Sequence, residues 1–460
     1  MPLINRRDFL KTCSAGALAS GVGGSRLAFA TGGIQDVLVI VFQRGACDGL
    51  SLVPPGSAGQ DRALYETYRV NTRVPASGTG AVLDLPNSGG RWGMHPRASA
   101  LRNLYLSNHL AVVVGAGMPA PVTRSHFDAQ KTMEFGTPGQ QSVGAGWLTR
   151  HLQSSNLPAS VAVPAVSMGS ITATSLLGSS ETITMPSGAD FRLDSFSYAW
   201  DDLDSGTPSL QGALQMMPNL WTGDSLLEVE ARQALDALSQ FRPLNFDLYN
   251  ASSNPGGYQP AGGANYGTGS FGQQLRNIAQ LVKRQAGLSI ATVDIGGWDT
   301  HNGQGSPANT YDAFGNQVQT LSDGLSAFYT DLSAGATNYM NHVSVIVVTE
   351  FGRRVRENDS GGTDHGYGSV MLAMGGAVNG GQVFGTYAGL EIENLYEYAD
   401  VNVTTDYRRV LSEAMIRRLE NPNIYYAFPG YSGYAPMGIF QGTDLPPGNF
   451  DAIFKNGFQT

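Results

Sequence analysis

The chain has little cysteine and little charge. Only two cysteines occur in 460 residues, and Cys13 lies in a segment expected to be removed. Cys47 is then left alone, and no internal disulfide can form. Asp, Glu, Lys and Arg together make up 14% of the residues, against about 25% in ordinary domains. Acidic residues outnumber basic ones, 37 to 28. An acidic chain without clustered Lys and Arg cannot neutralise a phosphate backbone, which excludes nucleic acid as a partner. No apolar run reaches the roughly 20 residues that a spanning helix requires, so no stable membrane anchor is expected. Histidine is scarce, at 7, which gives weight to where each one falls. Glycine, by contrast, is abundant at 59 and points to a loop-rich protein.

The first residues read as an address. Asn5-Arg6-Arg7-Asp8-Phe9-Leu10-Lys11 has the twin-arginine pattern, Ala15 to Val22 is a modest apolar stretch, and Ala28-Phe29-Ala30 fits a small-x-small cleavage site. Cleavage after Ala30 and export of the folded chain by the twin-arginine translocase are expected, to the periplasm or beyond. The mature chain, stripped of four basic groups and one acid, would carry a net charge of −12. About 430 residues are enough for one large core, and a single domain over 31–460 is the expectation.

Period and breakers point to an α/β protein. Asp36 to Phe42 is a buried strand, Arg62 to Arg69 a short helix, Pro96 to Ser107 a helix with Pro96 in its first turn, and Leu110 to Gly115 a strand. Strand, helix and strand in that order suggest a parallel crossover. A helix follows Ser125, with another near Gly146 to Leu152 and a strand over Val161 to Val166. Residues 172–223 and 246–270 read as insertions, separated by a helix from Ser225 to Phe241. A helix from Phe271 to Val282, a strand from Ser289 to Ile295, a helix from Tyr311 to Leu332, a strand from Val343 to Val348 and a helix from Asp406 to Leu419 complete the pattern. The expected architecture is a mostly parallel sheet with helices on both faces and long loop insertions.

Polar clusters stand just after several of these strands, where open α/β sheets collect their ligands. Cys47-Asp48 follow the first strand and Asp299-Thr300-His301 a middle one. Glu350 and then Asp364-His365 follow a late one, with Arg353, Arg354 and Arg356 between them. Ser125-His126-x-Asp128 follows another strand at a helix start. Carboxylates and imidazoles from separate strand ends suit a divalent metal. Such a centre could hydrolyse a phosphate or sulfate ester by stabilising charge and activating a nucleophile. Asp299, His301, Glu350, Asp364 and His365 are the leading ligand candidates, with Asp48, His126 and Asp128 behind them. Mixed nitrogen and oxygen ligands favour Zn or Mn over Ca or Mg. Ser125 is the candidate nucleophile, and Arg353 or Arg44 could steady an anionic ester or glycan. Cys47 reads as a small buried hydrophobe. A triad of Ser125, His365 and either Asp364 or Asp299 is a rival, although no Gly-x-Ser-x-Gly elbow occurs.

The runs RGACDGLSLVPP, SHFDAQ, GGWDTH, TEFGRRVREN, GGTDHG and TTDYRRVL resemble, in this order, a bacterial family defined by a domain of unknown function (fifteen-oh-one). That family is similar to a branch of the alkaline phosphatase and sulfatase superfamily. The resemblance implies a metal-bearing α/β sandwich with a nucleophile at a helix N-terminus, where Ser125 stands. Glu350 occupies the place of the superfamily's strand-end Asp, and Phe351 that of a following His or Asn. The sulfatase signature Cys-x-Pro-x-Arg is absent, and Gln43-Arg44 replace the usual first-strand acids. These departures leave open a non-catalytic exported scaffold or binding protein with the same fold.

Overall fold

The structure is a computed structural model, and it describes residues 34–139, 144–157, 163–186, 258–285 and 287–450, with 221–223, 225 and 228. The leader and most of the helix expected over 225–241 lie outside the described residues. The strands are β1 (Val37–Gln43), β2 (Leu83–Asp84), β3 (Gly93–Met94), β4 (Leu110–Gly117), β5 (Ala165–Met168), β6 (Thr182–Thr184), β7 (Ile290–Ile295), β8 (Val343–Thr349), β9 (Ser369–Gly375), β10 (Val383–Phe384) and β11 (Thr405–Asp406). The helices are α1 (Gly49–Leu52), α2 (Arg62–Tyr68), α3 (Ser99–Leu106), α4 (His126–Phe135), α5 (Trp147–Ser154), α6 (Ser270–Lys283), α7 (Ala313–Ser333), α8 (Tyr407–Arg417) and α9 (Ile424–Ala427).

One large sheet runs β10-β4-β9-β8-β1-β7-β5-β6, with β11 added beside β4. β1 lies between β7 and β8 and is parallel to both. β9 is antiparallel to both β8 and β4. The sheet is therefore mixed and mostly parallel. β2 and β3 form a separate antiparallel pair. β4 runs in the direction of β1 but stands two strands away, so the expected crossover unit spans β8 and β9 instead of joining neighbours.

β1 alternates its side chains between two cores, as a strand buried on both faces must. Val37, Val39 and Val41 meet Leu275 and Ile278 of α6 and Val318, Leu321 and Leu325 of α7. Leu38, Ile40 and Phe42 meet Met133 of α4, Trp147 of α5 and Leu411 of α8. Each fully buried aliphatic side chain contributes roughly 1.5–3 kcal/mol, and both helical layers are held this way.

Two expectations need correction. The stretch expected to be an insertion from residue 172 begins with β6, which pairs in parallel with β5. The strand β9 was not expected at all, because SVMLAMG lies among glycines and has no β-branched run beyond one Val. Its register beside β8 covers an apolar strand that would otherwise be an open edge. At the end of the second expected insertion, Tyr258 and Tyr266 donate to buried Asp331 of α7 at 2.6 and 2.8 Å. That carboxylate pins the segment to the helical layer.

The parallel strands set Gln43, Ile295 and Thr349 level with one another at a single edge of the sheet. β4 ends on the same side, and β9 begins there. The loops that carry the polar clusters all leave from this edge.

Candidate functional site

These loops are pressed together where only glycine fits. A Cβ on Gly45, whose φ is +115°, would stand 2.6 Å from the backbone nitrogen of Asp299. Its N–H instead donates to Glu350 Oε1 at 2.9 Å. A Cβ on Gly362 would stand 2.3 Å from the carbonyl oxygens of Thr300 and His301. The loops after β1, β7 and β8 are thereby locked against one another.

His126 opens α4, with Ser125 as its N-cap. His126 Nδ1 lies 2.9 Å from Glu350 Oε1, and Gln130, one turn further on, donates to the same oxygen at 2.8 Å. Glu350 is fully buried and also accepts from Thr349 Oγ1 at 3.0 Å. Burial would raise its carboxyl, but the bonds from His126, Gln130 and Gly45 outweigh that and hold it below the ordinary range. The Glu350 bond in turn raises His126. An ionised acceptor fixes the proton on Nδ1 of His126.

The other two histidines repeat the arrangement. His301 Nδ1 lies 3.1 Å from Asp364 Oδ1, and His365 Nδ1 lies 2.7 Å from the carbonyl of Arg124. Both partners accept, so both rings carry their proton on Nδ1 and turn an Nε2 lone pair inward. The three inward atoms converge on Asp299. His301 Nε2 and His365 Nε2 are 2.8 Å apart, and each stands 3.3 Å from Asp299 Oδ1. His126 Nε2 lies 3.5 Å from Asp299 Oδ2 and is buried without a hydrogen-bond partner. Ligand atoms of His126, Asp299 and His365 lie within 4.8 Å of one another.

Two nitrogen lone pairs facing at 2.8 Å repel unless something positive lies between or beside them. A metal about 2.1 Å from each ligand would set neighbouring ligand atoms roughly 3.0–3.4 Å apart, close to the spacings seen. Histidines that donate Nδ1–H to a carboxylate or carbonyl are also the usual outer support of metal-binding imidazoles. Charge agrees in sign: the carboxylates Asp299, Glu350 and Asp364 outnumber the guanidiniums of Arg353 and Arg354 that act on them. His126 Nε2, His365 Nε2 and Asp299 could therefore hold a metal, with His301 Nε2 beside His365 and Asp299, and with Glu350, Asp364 and the Arg124 carbonyl orienting the rings. Phe351 backs the cluster, stacked on His126 at 5.1 Å and tilted against His365 at 5.0 Å.

Arg353 is fully buried. It donates to the carbonyls of Ala46, Thr363 and Gly45 and, through Nη2, to Asp299 Oδ1 at 2.5 Å. Burial raises the Asp299 carboxyl, yet Arg353 prevails and holds it down to about 2. The hydrogen bond from Asn358 lowers Asp364 against burial, with help from His301. Burial lowers His365 despite the Arg124 carbonyl, and the charges of Arg353 and His126 act in the same direction.

The remaining sequence candidates fall outside the cluster. Arg44 is not an anion clamp here: it pairs with Glu134 at 2.9 Å and Asp294 at 3.0 Å, with its guanidinium over Phe42. Arg353 touches the cluster but is buried, with its guanidinium bonded to protein carbonyls and Asp299. Asp48 is not among the converging groups; it is buried in a two-armed pair with Arg69 at 2.6 and 3.1 Å. Asp128 is exposed in the first turn of α4, and its N–H donates to Ser125 Oγ at 3.4 Å. Ser125 thus caps the helix one residue from His126. Cys47 is buried and free. The sequence reading missed Gln130 and Asn358; Gln130 could have been found four residues beyond His126, on the same face of α4.

Residues 35–418 match the model of a family described as "Protein of unknown function (DUF1501)", and the chain belongs to that family. No curated protein matches, and no solved structure matches.

Proposed function

We propose that this member of the family is an exported, metal-dependent hydrolase of phosphate or sulfate esters. The observation that carries the reading is the convergence of three Nε2 atoms and the Asp299 carboxylate, with every Nδ1 held from behind. His126, His365 and Asp299, with His301 beside them, would hold one divalent ion, Zn or Mn before Ca or Mg by the donor set. Such an ion, when bound, supplies Lewis-acid polarisation of the ester and lowers the pKa of water. The side chains do the rest. Glu350, Asp364 and the Arg124 carbonyl keep the rings in one tautomer, and Arg353 fixes Asp299. Ser125 Oγ or a water is the nucleophile in this reading, at the end of α4 where the helix dipole favours an anion.

The mixed sheet, with its site at the carboxyl edge and helices on both faces, supports an alkaline-phosphatase-like sandwich. Arg6 and Arg7 support export by the twin-arginine translocase. Among the described residues, no helix is long and apolar enough to cross a membrane. A second reading, a binding protein that keeps the fold, rests on one observation: the guanidiniums of Arg44 and Arg353 are both engaged inside the protein. One experiment separates the two. Metal content of the purified mature protein is compared with Asp299→Ala and His365→Ala, and each form is assayed on aryl phosphates and aryl sulfates. One equivalent of metal and turnover, both lost in the variants, is expected. Metal without turnover favours the binding protein, and wild-type metal content in both variants overturns the centre.

A further inference from the structure

Three strongly exposed aromatic side chains lie by the same edge of the sheet as the cluster, and Ile171, in the loop after β5, is exposed as well. Phe127 is 86% exposed, Tyr398 73% and Tyr311 62%. Phe127 follows His126 in the first turn of α4. Tyr311 lies across Gly303, two residues beyond His301: a Cβ there would stand 3.4 Å from the Tyr311 hydroxyl. Tyr398 adjoins Glu397, which accepts from Arg124 at 2.8 Å, and the Arg124 carbonyl holds His365.

Tyr398 is also held out deliberately. Glu397 and Tyr398 both have positive φ, 50° and 57°, a region that non-glycine residues enter singly and at a cost. The turn is fastened by Arg124, which binds Glu397 and, at 2.5 Å, buried Asp400. Backbone strain that presents a side chain to solvent beside a site is a mark of ligand contact. Arg124 therefore ties the Tyr398 turn and the His365 ring into one unit.

We propose that Phe127, Tyr311 and Tyr398 form a saccharide-binding rim, and that the substrate is a phosphate or sulfate ester of a sugar. This rests on the hydrolase reading of the cluster. A pyranose presents an apolar C–H face that packs on the electron-rich face of an aromatic ring, and its hydroxyls stay in water, as the exposure of this rim demands. Charge argues against the other occupants. The chain is net acidic, −9 overall, and beside the rim Arg124 and exposed Arg354 face Glu397 and Asp400, so the cations there are matched by carboxylates and do not form a patch for an anionic membrane or a polyanion. The aromatics come from three different segments, the first turn of α4 and the loops after β7 and β10, so the rim borders the cluster and reads the part of the substrate that does not react.

The metal-loaded full chain is assayed on glucose 6-phosphate and glucose 6-sulfate against ethyl phosphate and ethyl sulfate, which share the primary ester but lack the ring. In parallel, binding of neutral chitohexaose and cellohexaose is measured by calorimetry. The sugar esters are expected to exceed the ethyl esters at least tenfold in kcat/KM. Phe127→Ala, Tyr398→Ala and Tyr311→Ala should each remove most of that gap, through KM, and leave the ethyl esters unchanged. Equal turnover of sugar and ethyl esters, with no oligosaccharide bound, would overturn the rim and leave the hydrolase standing. No turnover of any ester, with an oligosaccharide bound by wild type and lost in the variants, would uphold the rim and overturn the hydrolase. Neither turnover nor binding overturns both.

Discussion

Asp48 offers the sharpest separation of a ligand from a brace. Its carboxylate meets Arg69 through two bonds and also accepts from Ser51 at 2.7 Å and Gln304 at 2.7 Å. Both members of the pair are almost wholly buried, at 1% and 0% exposure. Removing one partner of such a pair costs about 3–5 kcal/mol. Asp48→Asn keeps a carbonyl oxygen for Arg69, so the lower end is expected, and Asp48→Ala the upper. Unfolding entropy near 2.1 cal/mol/K per residue gives roughly 0.8 kcal/mol/K for about 400 residues. The shift in Tm is then about 4–6 °C, measured by calorimetry on metal-free protein. pH gives a second reading. Burial raises the Asp48 carboxyl, but Arg69 outweighs it and lowers the folded-state pKa. A depressed carboxylate contributes its stability above the unfolded pKa, about 3.9, and loses it as pH falls through the folded value. The gap between wild type and Asp48→Asn should thus be full at pH 7 and shrink below about pH 4. Metal stoichiometry should stay unchanged. An unchanged Tm with metal lost would refute the reasoning and restore Asp48 as a ligand.

The other expectations can be checked more briefly. Glu350→Gln leaves His126 Nε2 free to bind but weakens its support, so metal should bind at the same stoichiometry with affinity down about 10–100-fold, read by competition with a chelator. Arg353→Lys cannot reproduce a fork that reaches three carbonyls and Asp299; a loss of about 2–4 kcal/mol in denaturant unfolding is expected. Burial pushes the Cys47 thiol well up, with Asp48 adding to the effect, so iodoacetamide at pH 7 should leave it unmodified in the folded protein and modify it after denaturation.

The sheet was legible because the strands of a sheet buried on both faces read as β-branched runs, as in Val343 to Val348. β9 was not, since Met, Leu, Ala and Gly carry no strand preference and its place is set by the edge it covers. The loops of the site were legible from polar residues placed just beyond strands, and the structure brings Asp299, His301, Glu350, Asp364, His365 and His126 together. Their division into inward and supporting groups was not legible. It depends on which ring nitrogen faces which acceptor, and a sequence does not order atoms around a ring. The setting of the arginines was not legible for a similar reason: Arg353 and Arg44 are alike in sequence to groups that clamp anions, and only packing shows their guanidiniums bonded within the protein.

His126 and Glu350 are 224 residues apart in the chain, and Gly45 and Glu350 are 305 apart. Contacts of such range close large loops, as does the β1–β8 pairing beneath them, which sets Gln43 level with Thr349. No fragment or half-assembled chain can hold the three imidazoles in register. Metal retained by the protein is therefore a measure of completed folding, and an ion bound only to the native form would shift the whole unfolding equilibrium by mass action. Thermal stability that rises with added metal in wild type, and stays flat in His365→Ala, would tie the completed fold to the site.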